Sequence, residues 1–439
     1  MAISKDFTVA VIGGGLVGVL CAIALGRAGI KVDIFEAAHK YDEIGAGIGI
    51  GPNSVRVLKD MGIFDDFLAV SENRDTLPLI TFVRGADPHD EILQYTDHIF
   101  EVGGYGLHRA AFLKALADLL PAGVVHSHFQ KRCISIASSS NGRPRVHFAD
   151  GSMHEADLII GADGLKSAVR TQVFGERGSG LVDTGSRAYR QIIPMQRLLD
   201  AGIKEEMLRP KARIWLGAQD KYMIAYPIVN GTVLNVAAFT LDRTQEMVPA
   251  NSEVPWLKPA STGELLSAFQ DFGEEARAIL GCMEAPNKWN LHALHPLPEA
   301  LVSVAPDKKA ANKDKPVSVV LVGDAAHAML PHLGAGAGTG IEDAYVLTSL
   351  LTHPQTRLAN LSEVLCAYDV VRGPRISDIM SRSIRAGDIY HGYGPSGATD
   401  EGRRRDLDAQ WQPIWHHDLS VDVRQAVESL QRKDYFERE

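Results

Sequence analysis

Short, largely apolar runs that break into glycine recur along this chain, and such breaks open onto stretches with helical spacing. Residues 9–12 run into Gly13 and then an alanine- and leucine-rich segment that ends at Gly29. Residues 157–161 run into Asp163-Gly164, and residues 317–322 run into Gly323-Asp324, with a helix expected from near Thr339. Residues 31–35 form a fourth run of this kind. A brief apolar run bounded by glycine reads as a strand covered on both faces, the pattern of a parallel sheet. Between about 183 and 241 the pattern changes to alternation, with strands expected at 213–217, 222–229 and 232–240. Asn230-Gly231 joins the last two and suits a tight hairpin, so this stretch predicts a separate antiparallel layer. Asn141-Gly142 and Asp150-Gly151 are two further hairpin signals. Helices are expected at 106–120, stopped by Pro121 and Gly123, at about 262–281, from Tyr345 to about 388, and at 403–432. Residues 306–316 are lysine-rich without periodicity and predict an exposed loop.

Composition narrows the class. The chain has 439 residues, 45% hydrophobic and 23% charged, enough for two joined layers of an ordinary globular protein. A formal net charge of -9 argues against a nucleic-acid surface, and the arginines at 403–405 read as a solvated face. No apolar run approaches the roughly 18 residues that span a bilayer, and no signal peptide is expected, which makes the cytoplasm the expected location. Cysteines 21, 133, 282 and 366 show no paired spacing. That excludes a disulfide scaffold, a zinc site and a redox-active thiol pair, and predicts buried structural thiols. No metal is expected.

Gly13-Gly14-Gly15-Leu16-Val17-Gly18 is a G-x-G-x-x-G turn between strand and helix. Gly13 permits the bend, Gly15 lets a pyrophosphate touch backbone, and Gly18 lets helix and strand pack closely. Glu36 ends the next strand about 20 residues on, where an acid binds ribose hydroxyls. At the third break Asp324 places a carboxylate at the sheet's carboxyl edge, able to bond a sugar-like hydroxyl. The glycines beyond let backbone N–H groups near Gly336 and Ala337 approach a flat ligand, and the following helix aims its positive end at it. Only one complete dinucleotide fingerprint is present, so no dedicated nicotinamide domain is expected.

In this chain order the three motifs resemble the fingerprints of the flavin-dependent aromatic hydroxylases, monooxygenases that bind FAD on one dinucleotide fold. The resemblance covers nearly the entire chain. The runs 107–112, 188–190, 226–231, 235–243, 323–332 and 415–419 are most similar to the salicylate-hydroxylating branch. It implies an α/β fold: a Rossmann-like FAD-binding domain at 1–182 with a hairpin insert, an inserted antiparallel substrate domain at 183–300, the return of the first domain with helices at 301–388, and a C-terminal helical tail at 389–439. It also implies FAD as cofactor, NADH or NADPH as a transient reductant, and a small aromatic acid with O₂ as substrates, in a monomer or homodimer.

By the same resemblance Arg109 lies near the pyrophosphate or ribityl chain, Asp163 supports the pyrophosphate region, and Asp324 holds a ribityl hydroxyl. The loop 43–49, with Gly47 and Gly49, lies beside the isoalloxazine. His332 is placed as the base for the substrate phenol, Arg190 and Tyr226 line the pocket, and Arg243 is a candidate grip on a carboxylate. Gln191 stands where relatives often have glycine, which bears on how Arg190 is aimed. The outcome expected is decarboxylating hydroxylation of a phenolic acid to a catechol. Hydroxylation of 4-hydroxybenzoate, a hydroxynicotinate or a fungal polyketide phenol uses the same machinery, and a flavin sensor without turnover is the reading from another class.

Overall fold

In the computed structural model the three glycine-bounded strands are neighbours in one sheet. The structure describes residues 5–41, 47–70, 76–77, 79–96, 104–175, 180–205, 212–250, 255–303 and 318–438. The expected loop at 306–316 and residues 43–46 of the loop at 43–49 lie outside that set. Strand Val9–Ile12 pairs in parallel with Leu158–Gly161 on one side and Val32–Phe35 on the other, and Leu158–Gly161 pairs in parallel with Val319–Leu321. Val125–His128 extends the sheet in parallel beyond Val32–Phe35, and Val302–Ser303 closes the far edge antiparallel. Parallel neighbours present their carboxyl ends at one edge, so turns more than 300 residues apart in sequence open onto a single crevice.

The hairpin insert forms a three-stranded antiparallel sheet, with Gly142 and Gly151 both at φ +82. Only glycine takes that conformation cheaply, which is why those dipeptides predicted turns. The helix expected at 106–120 is shorter: Gly104–His108 is a strand, and Arg109–Ala117 is the helix, with the His108 ring accepting from Ala111 N.

The alternating segment builds a larger sheet in the order Leu257–Pro259, Asn287–Leu294, Leu181–Pro194, Val233–Leu241, Lys221–Ile228, Ala212–Leu216, Leu79–Arg84, Glu91–Thr96. The last two strands come from before residue 100, outside the 183–300 segment. Leu79–Arg84 joins parallel to Ala212–Leu216, a non-local pairing that local pattern does not announce. One face of this sheet, with Trp215, Met223 and Val236, packs on helices Thr262–Ala268 and Glu274–Gly281. The opposite face, with Tyr222, Ala237 and Phe239, meets Leu333 and the C-terminal helices through Ile389, Tyr390 and Trp411. Helices Gly336–Thr352 and Leu361–Tyr390 cover the dinucleotide sheet, and the tail follows as Asp400–Leu407, Gln412–Trp415 and Leu419–Arg432. Among the four cysteines, Cys366 is exposed, which corrects the expectation that all are buried.

Candidate active site

A cleft of about 330 Å³ opens at the shared carboxyl edge, lined by Gly13, Gly15, Glu36 and Arg109 at one end and by Asp324, Gly336 and Ala337 at the other. Its floor is backbone because side chains do not fit. A Cβ on Gly13 would lie 2.3 Å from the Ala162 carbonyl oxygen, and one on Gly18 would lie 2.1 Å from the Gly13 carbonyl oxygen. Glu36 folds over the glycine turn, its Oε2 accepting from Gly14 N and its Oε1 from Ala38 N, both at 2.7 Å. Helix Gly336–Thr352 starts three residues earlier than expected and has no side-chain cap, so its first-turn N–H groups face the cleft. A glycine cradle, an exposed Asp324 carboxylate and a lining arginine fit an elongated, flat, phosphate-bearing group. FAD has that shape and charge.

Asp163 lines this cleft as expected, but its carboxylate is committed elsewhere. Oδ2 accepts from Ala168 N at 2.7 Å and Val169 N at 3.1 Å, and Oδ1 accepts from Ser167 Oγ at 2.5 Å. Burial pushes its pKa up, opposed by those bonds. These bonds shape the turn on which the helix Ala168–Phe174 begins. Arg170 holds the second and third turns together by donating to Leu165 O and Ala325 O, both at 2.8 Å. His327 is fully buried, its Nε2 2.6 Å from Asp343 Oδ2.

Strand Gly47–Ile50 connects the cleft to the large sheet. Gly47 N donates to Asn235 Oδ1 at 3.0 Å, and Gly47 O accepts from Arg190 Nη2 at 3.2 Å. A Cβ on Gly47 would meet Asn235 Cγ at 2.7 Å, whereas one on Gly49 would meet nothing within 4 Å. In the register, Arg190 opposes Ala237, Ala237 opposes Ile224, and Asn235 opposes Tyr226. Directly opposed residues and those two apart share a face. Arg190, Tyr226 and Asn235 therefore stand together on the face that meets Leu333 and Ala335, just before the Gly336-Ala337 turn. Asn235 escaped sequence reasoning; its signal was a lone polar residue at an inward position of the apolar run 233–239.

Arg190 is the electrostatic centre of this face. Its Nε is buried without a hydrogen-bond partner, and no carboxylate pairs with it among the described residues. Burial pulls the guanidinium below its ordinary range, Tyr226 opposes that shift, and the like charge of Arg109 adds to it. Burial also raises the Tyr226 phenol, with Arg190 pulling the other way. A buried cation in this state favours an incoming anion.

Two sequence expectations need correction. Arg243 is exposed: its Nη2 pairs with Asp388 Oδ1 at 2.5 Å and its guanidinium lies 3.6 Å from the Tyr393 ring centroid. Its charge is satisfied at the surface, so it does not grip a substrate carboxylate. His332 is buried against Tyr222, whose hydroxyl lies 2.8 Å from Nδ1, and a Cβ on Gly387 would sit 2.7 Å from its Nε2. Burial lowers its pKa to about 3, with the charge of His391 acting in the same direction. Nδ1 thus meets the Tyr222 hydroxyl and Nε2 lies beside Gly387, enclosed surroundings that differ from the open edge expected of a base.

The family described as FAD binding domain matches residues 6–205 and 306–383. A salicylate hydroxylase of Pseudomonas putida is 37% identical over 95% of this chain and 94% of its own length. A 6-methylsalicylate 1-monooxygenase of Aspergillus terreus is 31% identical over 95% of this chain and 89% of its own. Among solved structures, a salicylate hydroxylase substrate complex superposes with a TM-score of 0.80 at 30% identity, covering 96% of this chain and 98% of that one.

Proposed function

The chain belongs to the FAD-dependent aromatic-ring monooxygenases, and on that premise we propose that it hydroxylates a phenolic acid of the salicylate type at the carboxylate-bearing carbon, releasing CO₂. One oxygen atom of O₂ enters the ring and the other leaves as water. NADH or NADPH supplies two electrons, and the carboxyl group departs where a ring proton otherwise would. FAD, when bound, supplies the two-electron activation of O₂. The protein's share is to hold the cofactor on Gly13, Gly15, Gly18, Glu36, Arg109, Asp324 and the Gly336-Ala337 backbone, and to present the acid to it.

The observation that carries this reading is Arg190: a buried guanidinium without a carboxylate of its own among the described residues, on the face that also bears Tyr226. Arg190 binds the substrate carboxylate and, as a cation in a low-dielectric setting, favours the anionic form of the adjacent phenol. Tyr226 flanks the ring and orients it. His332 and Tyr222 stand behind as a neutral, hydrogen-bonded pair that fixes the back of the face. Incubating the yellow holoenzyme with salicylate, NADH and air should yield catechol and CO₂ in step with NADH consumed. NADH oxidation that salicylate fails to accelerate, with no catechol formed, overturns the substrate assignment. Arg190→Met should keep its FAD and raise the KM for the acid about 10- to 150-fold, the worth of a charged hydrogen bond.

A further inference from the structure

A second cleft, of about 400 Å³, lies on the large sheet where strands Leu181–Pro194, Asn287–Leu294 and Leu257–Pro259 adjoin. Its face is a row of polar side chains set by register. Asp183 opposes His292, Arg187 opposes Asn290, and Lys258 opposes Lys288. Two of the three cations are compensated: Arg187 pairs with Asp183 at 2.8 Å, and Lys288 pairs with Glu264 at 2.7 Å. Lys258 is exposed, has no partner among the described residues, and stands directly across from Lys288, whose charge Glu264 holds. The His292 Nδ1 is buried and likewise unpartnered. Val248 and Pro249 supply an apolar side.

This cleft is not isolated from the first. Lys166 lines the cofactor cleft, and its Nζ lies 5.3 Å from the Trp256 ring centroid. Trp256 O accepts from Asn290 N at 2.8 Å, and Asn290 lines the second cleft. Through these contacts Lys166 and Trp256 stand as a wall between the two spaces, and neither Lys166 nor Lys258 pairs with a carboxylate among the described residues. In a chain of net charge -9, such a locally positive cleft selects an anion.

We propose that this second cleft receives the phosphate-bearing adenosine half of the nicotinamide reductant, with Lys258 and Lys166 countering the phosphates and His292 bonding a hydroxyl or phosphate oxygen. An extended dinucleotide seated there passes its nicotinamide over the shared wall toward the flavin, which accounts for reduction without a second dinucleotide fold. The proposal rests on the reading of the chain as a NAD(P)H-dependent monooxygenase. It concerns binding, so it is testable without turnover.

ADP-ribose carries the adenosine and both phosphates but cannot reduce flavin. Isothermal titration of the FAD-loaded protein with ADP-ribose should show one saturable site that weakens as salt rises. Lys258→Glu should weaken that binding about tenfold and raise the KM for NADH by the same factor, while FAD content, salicylate affinity and flavin reduction by dithionite stay at wild-type levels. His292→Ala should weaken ADP-ribose without altering the visible spectrum. ADP-ribose affinity and NADH KM that are both unmoved by Lys258→Glu overturn the site. Wild-type flavin that neither NADH nor NADPH reduces overturns the monooxygenase reading itself, and with it the cleft's occupant.

Discussion

His332 shows how far a side chain's chemistry depends on what surrounds it. Free imidazole titrates at about 6.5, yet burial holds this ring at about 3 and holds the neighbouring His391 at about 4. Between roughly 6.5 and those values the unfolded chain binds protons that the folded chain does not. The stability gained from keeping the rings neutral is thus complete above about 6.5 and is lost as pH falls through that window. The urea midpoint should drop between pH 7 and pH 5, and His332→Leu should shallow that slope by at most about 1.4 kcal/mol per pH unit. Because the ring stays neutral throughout the working range, His332→Asn should lower product yield by loosening Tyr222 while leaving the pH profile of hydroxylation above pH 6 in place. A profile displaced by that substitution would restore the base assignment.

Helices Gly336–Thr352 and Leu361–Tyr390 are joined by buried ion pairs. Arg372 lies 3.0 Å from Glu342 and 2.9 Å from Asp343, Arg375 lies 2.9 Å from Glu342, and Glu342 also accepts from Asn53 at 2.8 Å. Asp343 in turn accepts from Gly323 N at 2.9 Å, so the network reaches the cofactor turn. Removing one partner leaves a buried charge uncompensated. Arg372→Met should cost about 3–5 kcal/mol in urea unfolding and release FAD at lower denaturant.

None of that network was legible in the sequence, because arginines and acids in helical spacing look the same whether solvated or paired across helices. The glycine-bounded strands were legible because a fingerprint encodes its turn locally: Gly13 at φ +108 and Gly323 at φ +61 need glycine whatever packs on them. Resemblance singled out Arg190 and Tyr226 but not Asn235 on the same face, since its partner Gly47 lies 188 residues away. Arg243 failed for a related reason: its competitor, Asp388, arrives from a distant helix.

Across the whole molecule the tail is structural. Trp411 is 3% exposed, donates its Nε1 to Leu333 O at 3.2 Å, and packs against Tyr95 and Phe82. Arg375 donates to Pro413 O at 2.8 Å, and Arg56 bonds Trp415 O. Trp411→Ala should therefore cost about 3–5 kcal/mol, read as a lower urea midpoint. A chain ended at residue 399 should fail to retain FAD after gel filtration, because the large sheet would lose the cover over its inner face. Retention at the wild-type ratio would make the tail dispensable.

The contact between Arg190 and the Gly47 carbonyl has one more implication. If Arg190 binds the acid as proposed, the acid competes with that carbonyl for the same guanidinium, and loading the ring perturbs the Gly47 backbone. Thermodynamic linkage makes any such influence mutual. Whatever free energy the aromatic acid spends in shifting the flavin's reduction potential must reappear as a difference in its own affinity for the oxidised and reduced protein.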